Sequence, residues 1–222
     1  GPLWQHFIMH GIAIPPNLIV AGTVNMDETT HGFSRKVIDR AMSFDFGEFF
    51  PNDFDDFYAG NVSHLPLTFP RHSSGSEALD ETDAQASIAF LKVLNTQLKN
   101  TSFELAYRAL NELLLAVHCH APASRVELQA VWDDFLMQKV LPRIEGDADK
   151  LRASSEKADT VLDRLRGLLQ EQLAEIWGDD KPRPDFYRMK NGQSTTTECR
   201  SRRKLQWMQD QLATRGFTSF WP

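Results

Sequence analysis

Cysteine is scarce: Cys119 and Cys199 are the only two in 222 residues. Disulfides are therefore excluded as the organising device, and a reducing, cytoplasmic compartment is expected. Long apolar runs are missing as well. No stretch approaches the ~20 residues that cross a bilayer. The start, Gly1-Pro2-Leu3-Trp4, has neither the basic nor the apolar region of a signal peptide, so no membrane partner is expected. Positive charge is in deficit, with 24 Lys and Arg against 30 Asp and Glu and a net charge of −6. The chain as a whole is therefore no electrostatic binder of nucleic acid, although a local basic patch remains possible. A phosphate cradle is lacking too, because Gly-x-x-x-x-Gly-Lys-Ser/Thr occurs nowhere.

What is present suffices for a core: 41% of the residues are hydrophobic and 24% charged, as in an ordinary globular protein. An amphipathic lead over residues 3–12 is stopped by Pro15-Pro16. Leu18-Ile19-Val20-Ala21-Gly22-Thr23-Val24 is apolar on both faces and predicts a buried strand of a parallel sheet. A short helix is predicted over 30–41 and a second strand over 42–46. Residues 45–70, rich in Phe, Asp, Asn and Pro, read as a long connection, and 71–83 as a solvated linker.

Helical spacing then takes over. Helices are predicted over 83–99; over 103–119, capped by Thr101 or Ser102; over 124–141, with Ser124 and Glu127 at capping-box spacing; over about 148–177; and over 200–215, stopped by Gly216. Residues 178–197 read as a polar loop, and Phe217-Thr218-Ser219-Phe220-Trp221 as an apolar tail that docks on its own domain or a neighbour. The fold class expected is mainly α with a small α/β piece, divided at residue 70 into 1–70 and 71–222.

Chemistry concentrates in residues 17–46. In an open parallel sheet the carboxyl ends of strands face the ligand crevice, which places Asn25, Asp27 and Glu28 at a site. An amide there can hold a phosphate oxygen and a water together. A guanidinium on the next helix, Arg35 or Arg40, can neutralise a phosphate presented by another molecule.

Gly22-Thr23-Val24-Asn25 followed by Asp39-Arg40-Ala41 resembles the AAA+ module of McrB-type proteins, the motors of modification-dependent restriction systems. The resemblance implies that Asn25 is the sensor that orients the attacking water. It makes Arg40 the arginine finger, with Arg35 as second candidate, and places Asp27 and Glu28 at the nucleotide. The run Phe103-Glu104-Leu105-Ala106-Tyr107-Arg108 is similar to the lid helix of that family and implies a nucleotide-sensing role for Arg108. Leu141-Pro142-Arg143-Ile144-Glu145-Gly146-Asp147 and the terminal helix with its Phe-Thr-Ser-Phe-Trp tail resemble further lid elements.

The implied fold is the C-terminal part of a P-loop NTPase core, carrying its last parallel strands, followed by a helical lid. The implied substrate is GTP or ATP with Mg²⁺. The implied partners are neighbouring AAA+ subunits in a ring, a McrC-like nuclease subunit, and DNA held by other domains. With no phosphate loop and no strand ending in paired acids before Asn25, the chain reads as a fragment that is inactive alone.

Other readings stay open. Asn25 could serve only as a turn-former. Arg40 could pair with Asp39 or Glu48, and Arg108 with Glu104 or Glu112 along its helix. Arg200, Arg202, Arg203 and Lys204 form a solvated basic face or a DNA or partner contact. His118-Cys119-His120 diverge on a helix and make a poor metal chelate. The alternative for the whole chain is a non-catalytic helical interaction module with an AAA+-like remnant.

Overall fold

The computed structural model of the protein describes residues 1–11, 18, 20–23, 34–44, 74–78, 82–152, 159–190 and 193–221. Among these the chain is mainly helical, with two small antiparallel sheets of two strands each. Helix α1 (Pro2–His10) carries no buried residue, and Leu3, Trp4, Ile8 and Met9 are all exposed. The strand predicted over 18–24 is not formed at residues 18 and 20–23, and Leu18 and Val20 are exposed. A central parallel strand needs a hydrogen-bonded neighbour on each side, and the described residues offer none. The second predicted strand is likewise absent at residues 42–44, and of the helix predicted over 30–41 the described residues form α2 (Arg35–Ile38).

The core belongs to the helices that follow: α3 (Thr82–Leu98), α4 (Tyr107–His120), α5 (Arg125–Phe135), α6 (Ala148–Leu151), α7 (Val161–Gln172) and α8 (Arg200–Arg215). Leu94, Leu98, Leu113, Leu136, Leu165, Leu169 and Leu205 have no or almost no exposed surface and form one cluster. Phe90 stacks on Trp132 with ring centroids 4.4 Å apart, and the indole N–H donates to Ser87 Oγ at 2.8 Å, so the buried polar edge is satisfied.

Helix α4 begins later than its apolar spacing predicts. The Asn95 side chain takes the Leu105 N–H at 2.8 Å and donates to the Leu105 carbonyl at 3.3 Å. That pairing keeps the segment with buried Phe103 and Leu105 outside the helix. Thr101 closes α3 instead of capping α4, since its hydroxyl donates to the Leu98 carbonyl. Ser124 caps α5 as its spacing predicts, accepting the Glu127 N–H at 3.2 Å.

The long helix predicted over 148–177 is two helices. Asp147 caps α6 and Thr160 restarts the chain at α7 through a reciprocal capping box with Asp163; two such caps outweigh a continuous apolar stripe. Residues 178–197 hold a hairpin rather than a loop, with β2 (Arg183–Lys190) antiparallel to β3 (Gln193–Thr197). The tail folds back as β4 (Phe217–Ser219) against β1 (Glu145–Asp147), pairing Glu145 with Ser219. Phe220 is fully buried beyond it. Gly216 at φ 72° ends α8, where a side chain would be strained. No described helix is long and apolar enough to cross a membrane.

Candidate functional site

The segment 34–44 sits on the helical domain through one unusual turn. After α5 the chain widens into a π-helical turn, Leu136–Val140, closed by the Leu141 N–H on the Leu136 carbonyl. It then tightens through Leu141–Arg143. Such turns re-aim side chains that a regular helix would place elsewhere. Pro142 follows four residues after Gln138 and has no N–H. The Gln138 carbonyl is thus left for an outside donor and accepts from the Ser43 N–H at 3.3 Å.

Lys139, on the same turn, is 1% exposed. Its ammonium lies 2.7 Å from Glu112 Oε2, 2.7 Å from the Ala41 carbonyl and 3.2 Å from the Asp39 carbonyl. Two carbonyls therefore accept from this buried ammonium and a carboxylate balances its charge, whose burial would otherwise be costly. The Asp39 carboxylate is held at its two oxygens by Arg143 and by Arg108, each at 3.0 Å. Ile38 is buried beneath, and the Phe44 ring meets Tyr187 edge-on at 5.8 Å. Gln138 also donates to the Tyr187 hydroxyl at 2.6 Å.

Arg40 stands between the anchored carbonyls. Its side chain is exposed and makes no ion pair among the described residues. Arg108 is paired with Asp39 rather than with Glu104 or Glu112, so the structure brings the predicted lid arginine to the predicted finger motif. Arg35 opens α2, and its side chain lies outside the described residues, as do Asn25, Asp27 and Glu28. An open apolar groove of ≈ 270 Å³ lies between α3 and α4, lined by Ile88, Leu91, Lys92, Leu105, Tyr107 and Leu110 among others.

The basic run on α8 is engaged. Arg200 pairs with Asp134 at 2.9 Å and Asp185 at 2.8 Å, Arg202 with Asp179 at 2.6 Å, and Arg203 with Glu198 at 2.8 Å. Lys204 lies over the Phe220 ring at 4.4 Å. These pairs leave little free positive charge for a polyanion.

A second polar cluster escaped the sequence reading. Arg183, fully buried, contacts Asp133 through Nε at 2.8 Å and pairs with Asp134. Asp133 also caps α8, accepting the Arg200 N–H at 2.9 Å and the Ser201 N–H at 2.8 Å. Burial raises Asp134 to about 6; Asp133 adds to the rise, while Arg183 and Arg200 oppose it. Burial and the same Asp133 charge push the Cys199 thiol well up, so it is no nucleophile at neutral pH. The signal was present: Asp133-Asp134 are set between Ala130-Val131-Trp132 and Phe135-Leu136, where two adjacent acids cannot both face water. Its chemistry is that of a staple. No group of three His, Cys, Asp or Glu side chains among the described residues could hold a metal ion.

A family model described as a domain of unknown function (DUF8727) matches residues 68–217, more than half of the chain. Neither the curated proteins nor the solved structures gave a match.

Proposed function

The chain belongs to the DUF8727 domain family, and we propose that it is the C-terminal part of a McrB-type AAA+ NTPase, supplying an arginine to the nucleotide of a neighbouring subunit in a ring. One observation carries this reading. The carbonyls of Asp39 and Ala41 are both bound by buried Lys139, and the Asp39 carboxylate by two arginines, while Arg40 between them is exposed and unpaired among the described residues. A guanidinium on a fixed backbone, directed outward and not neutralised, suits stabilisation of phosphoryl charge in trans. The uncovered apolar side chains Leu3, Trp4, Leu18 and Val20 add support, since the rest of a nucleotide-binding core would cover them.

In this reading GTP or ATP is the substrate. Asn25 orients the attacking water, Asp27 and Glu28 line the nucleotide, and Arg35 is the reserve finger. Hydrolysis would drive movement along DNA held by other domains, toward cleavage by a McrC-like nuclease subunit. The described residues do not fit a resident Mg²⁺, having no cluster of ligands. The metal's carboxylates and the phosphate loop would come from sequence outside these 222 residues.

The test starts with the reading frame before Gly1. A phosphate loop and a strand ending in paired acids are expected there, whereas a start codon at that point would overturn the reading. In the protein that includes them, Arg40→Ala is expected to lower kcat for nucleotide hydrolysis by ~10³ or more. Turnover equal to wild type would remove Arg40 from the role.

The pairing of Arg108 with Asp39 favours a second reading, a non-catalytic helical interaction module. An arginine already neutralised is a poor nucleotide sensor. That reading expects Arg40→Ala to have no effect on any nucleotide-dependent property.

A further inference from the structure

We infer that Lys139 positions Arg40: by holding the carbonyls that flank this arginine, its ammonium sets the direction in which the guanidinium leaves the molecule. The inference rests on the reading of Arg40 as a finger and adds the device that aims it. A lysine with 1% of its surface exposed needs partners for its ammonium, or burial of its charge becomes costly. Among the described residues, its own helical domain provides the Glu112 carboxylate as an ion-pair partner at 2.7 Å. Its hydrogen-bond acceptors are the carbonyls of Asp39 and Ala41. Residues 39–41 therefore cannot swing without stripping acceptors from a buried cation.

Three further contacts keep the same stretch from rotating. Arg143 and Arg108 hold opposite oxygens of the Asp39 carboxylate, each at 3.0 Å. The Ser43 N–H is bound by the Gln138 carbonyl at 3.3 Å, one residue before Lys139 on the π-helical turn. That turn and Pro142 create a lysine and a free carbonyl side by side, both facing the finger segment. A role confined to filling space would not require acceptors from either side of one exposed arginine.

The test has two arms in the protein that includes the upstream NTPase sequence. Amide hydrogen exchange reads the clamp. Lys139→Met is expected to speed exchange at the Ser43 amide by about tenfold or more, and Asp39→Asn less, with exchange in α3 and α7 unchanged. Steady-state hydrolysis reads the aim. Both variants are expected to lower kcat, Lys139→Met by about tenfold to a hundredfold, with KM for the nucleotide unchanged.

Should Lys139→Met fail to fold, Lys139→Gln, which keeps a polar end with fewer donors, gives both readings alone. Unchanged exchange at Ser43 would overturn the clamp. Faster exchange with wild-type kcat would overturn the positioning role while leaving the finger reading in place. If Arg40→Ala itself turned over normally, both would fall together.

Discussion

Asp134 shows what a single charge does when three acids meet two arginines. Asp133, Asp134 and Asp185 share Arg183 and Arg200, leaving one negative charge in excess among buried side chains. Burial first, then Asp133, lifts Asp134 to about 6, from the ordinary carboxyl value of 3.8. The sign follows from proton counting. Between about pH 4 and 6 the folded form holds a proton that the unfolded form has released, so this group's contribution to stability grows as pH falls through 6 and is lost as pH rises from 4.

His120 acts in the opposite direction, because burial and then Arg183 lower its pKa and its contribution is lost as pH falls. Asp134→Asn balances the cluster and removes the first effect. Urea midpoints measured from pH 7 to 4 are expected to fall further behind wild type as the pH drops, by on the order of 2 kcal/mol at the acid end. A constant offset across that range would argue that Asp134 is ionised throughout. Arg40, by contrast, was legible from the sequence as a candidate but not as an exposed one. Its anchoring depends on Lys139, 99 positions away, and no local pattern carries such a distance.

Elements were legible where a local rule and the core agreed. Ser124 and Glu127 predict the start of α5, and Gly216 the end of α8, because each satisfies or frees specific backbone groups. Ser124→Ala is expected to cost about 1 kcal/mol by urea denaturation, and a cost within error would mean that the first turn of α5 is held by tertiary packing alone. Elements were misread where a long apolar stripe hid a cap, as at Thr160, or where polar composition hid a ladder, as in β2 and β3. The hairpin had its own signal in Asn191-Gly192, the dipeptide favoured between paired strands, set between Phe186-Tyr187 and three consecutive threonines. The strand predicted at 18–24 failed for another reason. Its apolar pattern states that it is to be covered, and nothing among the described residues covers it.

At the scale of the whole molecule, Lys139 ties residues 39–41 to the helical domain. The family match begins at residue 68, yet a buried lysine inside it takes its two hydrogen-bond acceptors from residues 39 and 41. Residues 39–41 and the helical domain share this buried cation, and separating them would expose it. The tail closes the domain at its other end. Deleting residues 216–222 removes β4 and the fully buried Phe220. The thermal midpoint is expected to fall by roughly 10 °C or the domain to lose cooperative unfolding, and a melt superimposable on wild type would show the tail to be dispensable. The pairing of Glu145 with Ser219 also fixes an order of events during synthesis. While residue 220 is still inside the ribosome, β1 has no partner and the site of Phe220 stands empty, so helices already outside the exit tunnel wait open, within reach of chaperones, until residues 217–220 emerge.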